Sequence, residues 1–175
     1  MDVVERIIGA FPSYMTAESA ALADLLTSEG AAFSTHSFSV LVGGETVTIP
    51  ERLYVEREAL EGFDDLGRCL LTRHHNGFVR QRALQQVLSL DEPWTAPFIV
   101  RLVGEYVIEI IEQIDEAFAL TFDKHMVTFV AANPDFIRLT RARVTSYWNC
   151  YFRNTPHRDH VGFRAIDRIE ASGLR

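Results

Sequence analysis

The stretch RHHNGFVRQRAL, Arg73 to Leu84, decides how the rest of the chain is read. It sets two adjacent histidines, an Asn-Gly pair and three arginines beside Phe78. Taken as chemistry, it would be a metal or catalytic site, or a patch for phosphates. Taken as architecture, it is the joint between two helices, and its flanks favour the joint. Before it, Leu66, Cys69, Leu70 and Leu71 fall at helical spacing within roughly 63–74. After it, Val79, Ala83, Leu84, Val87 and Leu88 do the same within roughly 78–89. Asn76 can cap the second helix, and Gly77 takes backbone angles that other residues resist. His74 and His75 then end the first helix, where an imidazolium suits the negative end of the helix dipole. A conspicuous polar turn can also be a binding loop. His74, His75, Asn76, Arg80 and Arg82 are therefore candidate binding residues.

Working outward, Val3, Val4, Ile7, Ile8 and Phe11 predict a first helix, with Asp2 as N-cap. A second helix follows Thr16, with Leu22, Leu25 and Leu26 inward and Gly30 past its end. The period then changes. Phe38, Val40 and Val42 alternate with polar or outward positions, as do Val47 and Ile49. A Gly43-Gly44 turn pairs Val42 with Glu45, Val40 with Val47 and Phe38 with Ile49, which puts the apolar residues on one face of a β-hairpin over about 36–49. Pro50 ends the second strand. The hairpin lies within a segment, residues 33–54, that interrupts the helices.

Beyond the joint, Thr95 and Pro97 open a helix. The doubled apolar positions from Phe98/Ile99 to Ile110/Ile111 and Ile114 predict one long helix buried on more than one side, over about 97–115. Asn133-Pro134-Asp135 reads as N-cap, first helical position and acidic second position. The helix after it turns Ile137, Thr140, Val144, Tyr147, Trp148 and Tyr151 inward. Asn154-Thr155-Pro156 breaks it, and a last helix follows over about 156–170. No linker rich in Gly, Pro or Ser divides the 175 residues, so one domain is expected. The fold class is mainly α with one β-hairpin.

The net charge of −7 opposes bulk attraction to nucleic acid or to an anionic membrane. It is unevenly spread: residues 134–175 hold eight arginines against four acids, so the remainder carries −11. Two cysteines, Cys69 and Cys150, make no disulfide framework and fit a reducing compartment. No run of about 18 apolar residues is present to span a bilayer. The start MDVVERIIGAF lacks the basic, long apolar pattern of a secretory signal, which points to the cytoplasm.

The segment HNGFVRQRAL resembles a HEAT-type helical hairpin, in which a small turn, an apolar residue, an arginine and an alanine precede the second half of the helix. Phe136-Ile137-Arg138 echoes Phe78-Val79-Arg80. The pieces TIPERLYV, RHHNGFVRQRAL, PFIVRLVGEYVIEI and SYWNCYFR resemble an uncharacterised bacterial protein family. That likeness implies a bacterial cytoplasm and no particular activity.

Each chemistry has a structural counterpart. His157 and His160, joined by Cys150, Asp159, His74 or His75, could bind zinc only if three or four of them converged. No CxxC or HExxH spacing occurs, so no metal or cofactor is expected. Cys69 sits in an apolar helix that would raise its thiol pKa, and Cys150 lies among aromatics, so no catalytic residue is assigned. Arg101, Glu105 and Glu109, one turn apart, would be the enzyme candidate if they faced a cleft. Otherwise they form an ion-pair ladder of about 0.2–0.5 kcal/mol per pair. Arg138, Arg141, Arg143 and Arg153 beside Tyr147, Trp148 and Tyr151 are the mixture that clamps phosphates and stacks bases, as in HEAT-like DNA glycosylases. The pI of about 5.3 weighs against that reading. The expectation adopted is a protein-interaction or scaffold module that does not enter a membrane. Its surfaces would be a groove rimmed by Arg80, Arg82 and Arg101, and the hairpin, whose edge could pair with a second copy of the chain.

Overall fold

The computed structural model of the chain describes residues 2–120 and 124–172. It is mainly helical with one β-hairpin, and it divides into Met1–Leu90 and Asp91–Arg175.

In the first unit, Asp2 and Glu5 form a capping box at the start of α1 (Val3–Ile8). The helix stops short of the expected Phe11 because the chain turns toward Pro12, although Phe11 itself is buried. Helix α2 (Thr16–Ser28) packs on α1 and buries Leu22, Ala23 and Leu26. Gly30, at φ 73°, then reverses the chain in a conformation few other residues adopt. The ribbon that follows contains β1 (Ala32–Phe33), β2 (Ser37–Val42), β3 (Glu45–Pro50) and β4 (Leu53–Tyr54). Strands β2 and β3 pair in the expected register, Val42 with Glu45, Val40 with Val47 and Phe38 with Ile49. Gly43 and Gly44, at φ 59° and 87°, make the turn between them.

Pro50 is the last residue of β3, as expected. It pairs with Ser37 at an outward-facing position, where a missing N–H removes no bond between the strands. Bonds from Glu51 N–H to His36 O and from Ser34 N–H to Arg52 O, each 3.0 Å, carry the ribbon on to β1 and β4. One edge is tied to the unit's own helices: Thr48 N–H on β3 donates to Gly9 O at 2.7 Å. A strand added by another chain would therefore have to use β2.

Helix α3 (Asp65–Leu71) is capped by Asp64, whose carboxylate accepts from Gly67 N–H at 2.8 Å. It ends earlier than its sequence pattern suggests because residues 73–75 leave the helix to lie beside β4. Leu53 N–H donates to Arg73 O, and His75 N–H donates to Leu53 O, both at 2.8 Å. Asn76 then caps α4 (Gly77–Val87) by accepting from Phe78 N–H at 2.9 Å. The joint between the two helices is thus also a third strand for the base of the ribbon.

The second unit holds a 3-10 turn (Pro93–Thr95), α5 (Ala96–Val103), α6 (Ile108–Leu120), α7 (Lys124–Ala132), α8 (Pro134–Tyr151), a second 3-10 turn (His157–Asp159) and α9 (Val161–Ser172). The long helix expected over 97–115 is two helices, broken between Val103 and Ile108. Gly104 marks the break: a Cβ there would stand 3.2 Å from Arg143 Cβ on α8, so the close approach needs glycine. Every residue of α5 is buried, and α6, α7, α8 and α9 pack around it. Asn133 sits before α8 but its side chain does not cap it; the amide turns back to donate to Phe129 O at 2.9 Å. Helix α8 buries Phe136, Ile137, Thr140 and Val144 as expected. Its aromatic end is not core, since Tyr147 and Trp148 are half-buried and Tyr151 is exposed. Among the described residues, no helix is long and apolar enough to cross a membrane.

Candidate functional site

The joint places its polar residues in two opposite ways. Arg73 and His74 are fully buried, while His75 is exposed on the outer face. The expectation of a solvated imidazolium at a helix end is corrected for His74. Its Nδ1 accepts from Asn76 N–H at 3.0 Å, which leaves Nε2 to donate to Val55 O at 3.0 Å. Those two bonds select the neutral ring. Burial, reinforced by neighbouring His75, holds its pKa below the ordinary imidazole value, against the opposing pull of Val55 O and Glu58. Arg80 is buried as well, and its Nη1 donates to His74 O at 2.9 Å and His75 O at 3.0 Å. It closes the turn from inside and is not a surface cation.

The segment 55–61 forms a strap over this joint. Arg82 Nη2 donates to Glu58 O at 2.9 Å, and Asn76 Nδ2 donates to Glu58 Oε1 at 2.7 Å. At its other side Arg57 pairs with Glu29 at 2.5 Å, donates to Glu61 O and lies 4.6 Å over the Phe63 ring. The strap is therefore tied to the end of α2 through Glu29, to the joint through Asn76 and to α4 through Arg82.

Strand pairing sets what the strap faces. Ala32 and Tyr54 are register partners, and His75 follows on the next strand. The Tyr54 and His75 rings stack at 5.7 Å and 23°, and His75 stacks in turn on buried His74 at 4.4 Å. Tyr54 remains 46% exposed, so one wall of the adjoining groove is aromatic, with the His75 ring and then the buried His74 ring stacked behind it. The groove measures about 680 Å³ and is lined by Glu29, Ala32, Tyr54, Glu56, Glu58 and His75. Glu58 also borders a second depression of about 400 Å³, lined by Glu61, Arg82, Gln85 and Gln86 among others. The pairing of a flat aromatic wall with carboxylates suits an organic cation.

Of the residues proposed from sequence, His75, Asn76 and Arg82 border or brace this groove, and His74 and Arg80 build its frame. Sequence reasoning missed Tyr54, Glu56 and Glu58. Their signal was present in LYVERE, where buried Leu53 and Val55 alternate with exposed Tyr54, Glu56 and Glu58.

The other candidates do not assemble. Arg101 and Glu105 are buried while Glu109 is exposed on α6, so they make no solvent-facing row for catalysis. Arg80 and Arg101, both buried, cannot rim the expected groove. Arg141 is held by Glu170 at 2.7 Å and Asp167 at 2.5 Å, which raises its already high pKa, the Glu170 bond contributing most. Arg138 pairs with Asp135 at 3.1 Å. The basic patch expected for phosphates is in large part spent on carboxylates. Burial raises the Cys69 thiol, as expected, with Asp65 and Asp64 adding to it. His160 is buried and held below the ordinary imidazole range by that burial, then by Arg164 and His157. Among the described residues, no three His, Cys, Asp or Glu side chains gather as a metal-binding group.

Compared with protein-family models, curated proteins and solved structures, the chain matches none of them.

Proposed function

We propose that the chain is a protein-interaction module whose docking surface is the strap face of the first unit, and that its partner presents a basic segment. The HEAT-like character of the α3–α4 hairpin belongs to the same proposal: it supplies the rigid support on which the strap lies. The observation that carries the reading is the pair of adjoining depressions along residues 54–61, joined at Glu58 and backed by buried His74 and Arg80. A surface fixed this firmly loses little ordering entropy when a partner docks. The charge points the same way, since residues 1–90 hold twelve Asp and Glu against seven Arg, a net of −5.

Titration of the full chain with a fluorescent Lys/Arg-rich peptide tests this. Binding should weaken as salt rises. The charge-reversed double variant Glu56→Lys/Glu58→Lys should remove it. A Glu-rich peptide of equal length should not bind, and the chain should pass over heparin without salt-dependent retention. Equal binding of both peptides, or no effect of the charge reversal, would remove the proposal.

A further inference from the structure

Resting on that reading, we infer that the wider groove is a socket for one arginine side chain of the partner. Three features select this cation.

The first is the charge that remains after internal pairing. Glu29 is committed to Arg57. Glu58 accepts only the neutral amide of Asn76, and Glu56 is exposed and makes no ion pair among the described residues. Two carboxylates at the mouth of a concave surface thus make no ion pair among the described residues. The second is the shape of the wall. Tyr54 stacks on His75 within 23° of parallel, and His75 stacks in turn on buried His74, so the half-exposed Tyr54 ring is a flat face with support behind it. A planar guanidinium stacks on such a face and offers paired donors to a carboxylate at its edge. A compact ammonium is more strongly hydrated and gains less from a flat ring in an open groove. The third is the room beside the ring. Ala32, directly across from Tyr54, carries only a methyl group, and a Cβ added at neighbouring Gly30 would meet nothing within 4 Å. The adjoining depression continues the site with Gln85 and Gln86, whose side-chain amides can donate to carbonyl groups such as those of an extended segment.

The test is a titration of the full chain, observed through its amide NMR signals, with capped Gly-Ser peptides carrying one central arginine, lysine or citrulline. Citrulline keeps the shape of arginine without its charge. The arginine peptide should shift the signals of Ala32, Tyr54, Glu56 and His75 and bind at least roughly tenfold more tightly than either counterpart. Ala32→Phe should block the socket while leaving both carboxylates in place. Glu56→Gln/Glu58→Gln, which fills no space, should weaken binding without changing the remaining spectrum. Should lysine bind at the groove as well as arginine does, the socket is wrong while the interaction reading stands; equal binding of the uncharged citrulline peptide would remove both. Shifts outside residues 29–86, or none with either this peptide or the Lys/Arg-rich one, would remove both.

Discussion

Two stretches of this chain look alike as text, residues 73–82 and 138–153. Each mixes arginines with aromatic residues, and each could be read as a patch for anions. In the first, Arg80 turns inward and gives its hydrogens to backbone carbonyls of the very turn it follows. In the second, Arg141 stays at the surface and pairs with Asp167 and Glu170 on the neighbouring helix. The difference lies in what the backbone needs. Residues 73–75 leave their helix to join β4, so the carbonyls of His74 and His75 face the interior and require a donor. Helix α8 runs unbroken from Pro134 to Tyr151 and satisfies its own interior carbonyls, which frees its arginines for carboxylates. An arginine is structural wherever the chain around it has left carbonyls without partners.

The sharpest way to break this comparison is to remove the two guanidinium groups in turn. Arg80→Leu leaves a buried and a part-buried carbonyl without their donor and should cost about 3 kcal/mol. Arg141→Leu, at a side chain one-third exposed, should cost less than about 1 kcal/mol. Both tryptophans, Trp94 and Trp148, lie in the second unit, so a probe placed in each unit is needed. Amide hydrogen exchange supplies it. Equal losses would end the distinction. A second pair compares packing. A Cβ at Gly67 would fall 2.5 Å from the Phe63 ring beside the joint, so Gly67→Ala should cost about 2 kcal/mol. Gly104→Ala meets Arg143 at 3.2 Å and should cost about half as much.

The pH dependence sharpens the picture further. His74 stays neutral in the folded unit below the ordinary value of 6.5, at which the unfolded chain takes up its proton. The unfolded state therefore binds more protons in that window, and stability of the first unit should fall as pH drops from about 6.5 toward the depressed folded value. The slope from this one group is at most about 1.4 kcal/mol per pH unit. His74→Gln should flatten the fall in the first unit, read as protection of amides in 77–87 between pH 7 and 5. The second unit keeps its own slope in the same direction from His160. An unchanged slope in the first unit would mean that His74 is charged when folded. The smallest expected effect is at Glu170→Gln, which leaves Asp167 on Arg141 and should shift stability by no more than about 0.5 kcal/mol.

Much of the fold was legible because local rules governed it. The Gly43-Gly44 turn and the alternation on both sides fixed the hairpin register residue by residue. Asp2, Asn76 and the Asn154-Thr155-Pro156 break marked helix ends correctly. The break at Gly104 escaped notice because apolar spacing continues across it; only the approach of Arg143 makes the glycine necessary. The joint at 73–84 was recognised as a joint, but its two histidines could not be told apart. The strand bond from His75 N–H to Leu53 O brings together residues 22 apart, and it sends one ring into the interior and leaves the other at the surface.

By itself, then, the sequence determined the elements and one register, since capping, turn chemistry and period act over a few neighbouring residues. Only the tertiary structure decided which polar side chains would be consumed. The same guanidinium or imidazole can brace a backbone, pair with an acid or meet solvent, and the choice is set by which distant carbonyls and carboxylates the packed chain brings within about 3 Å of it.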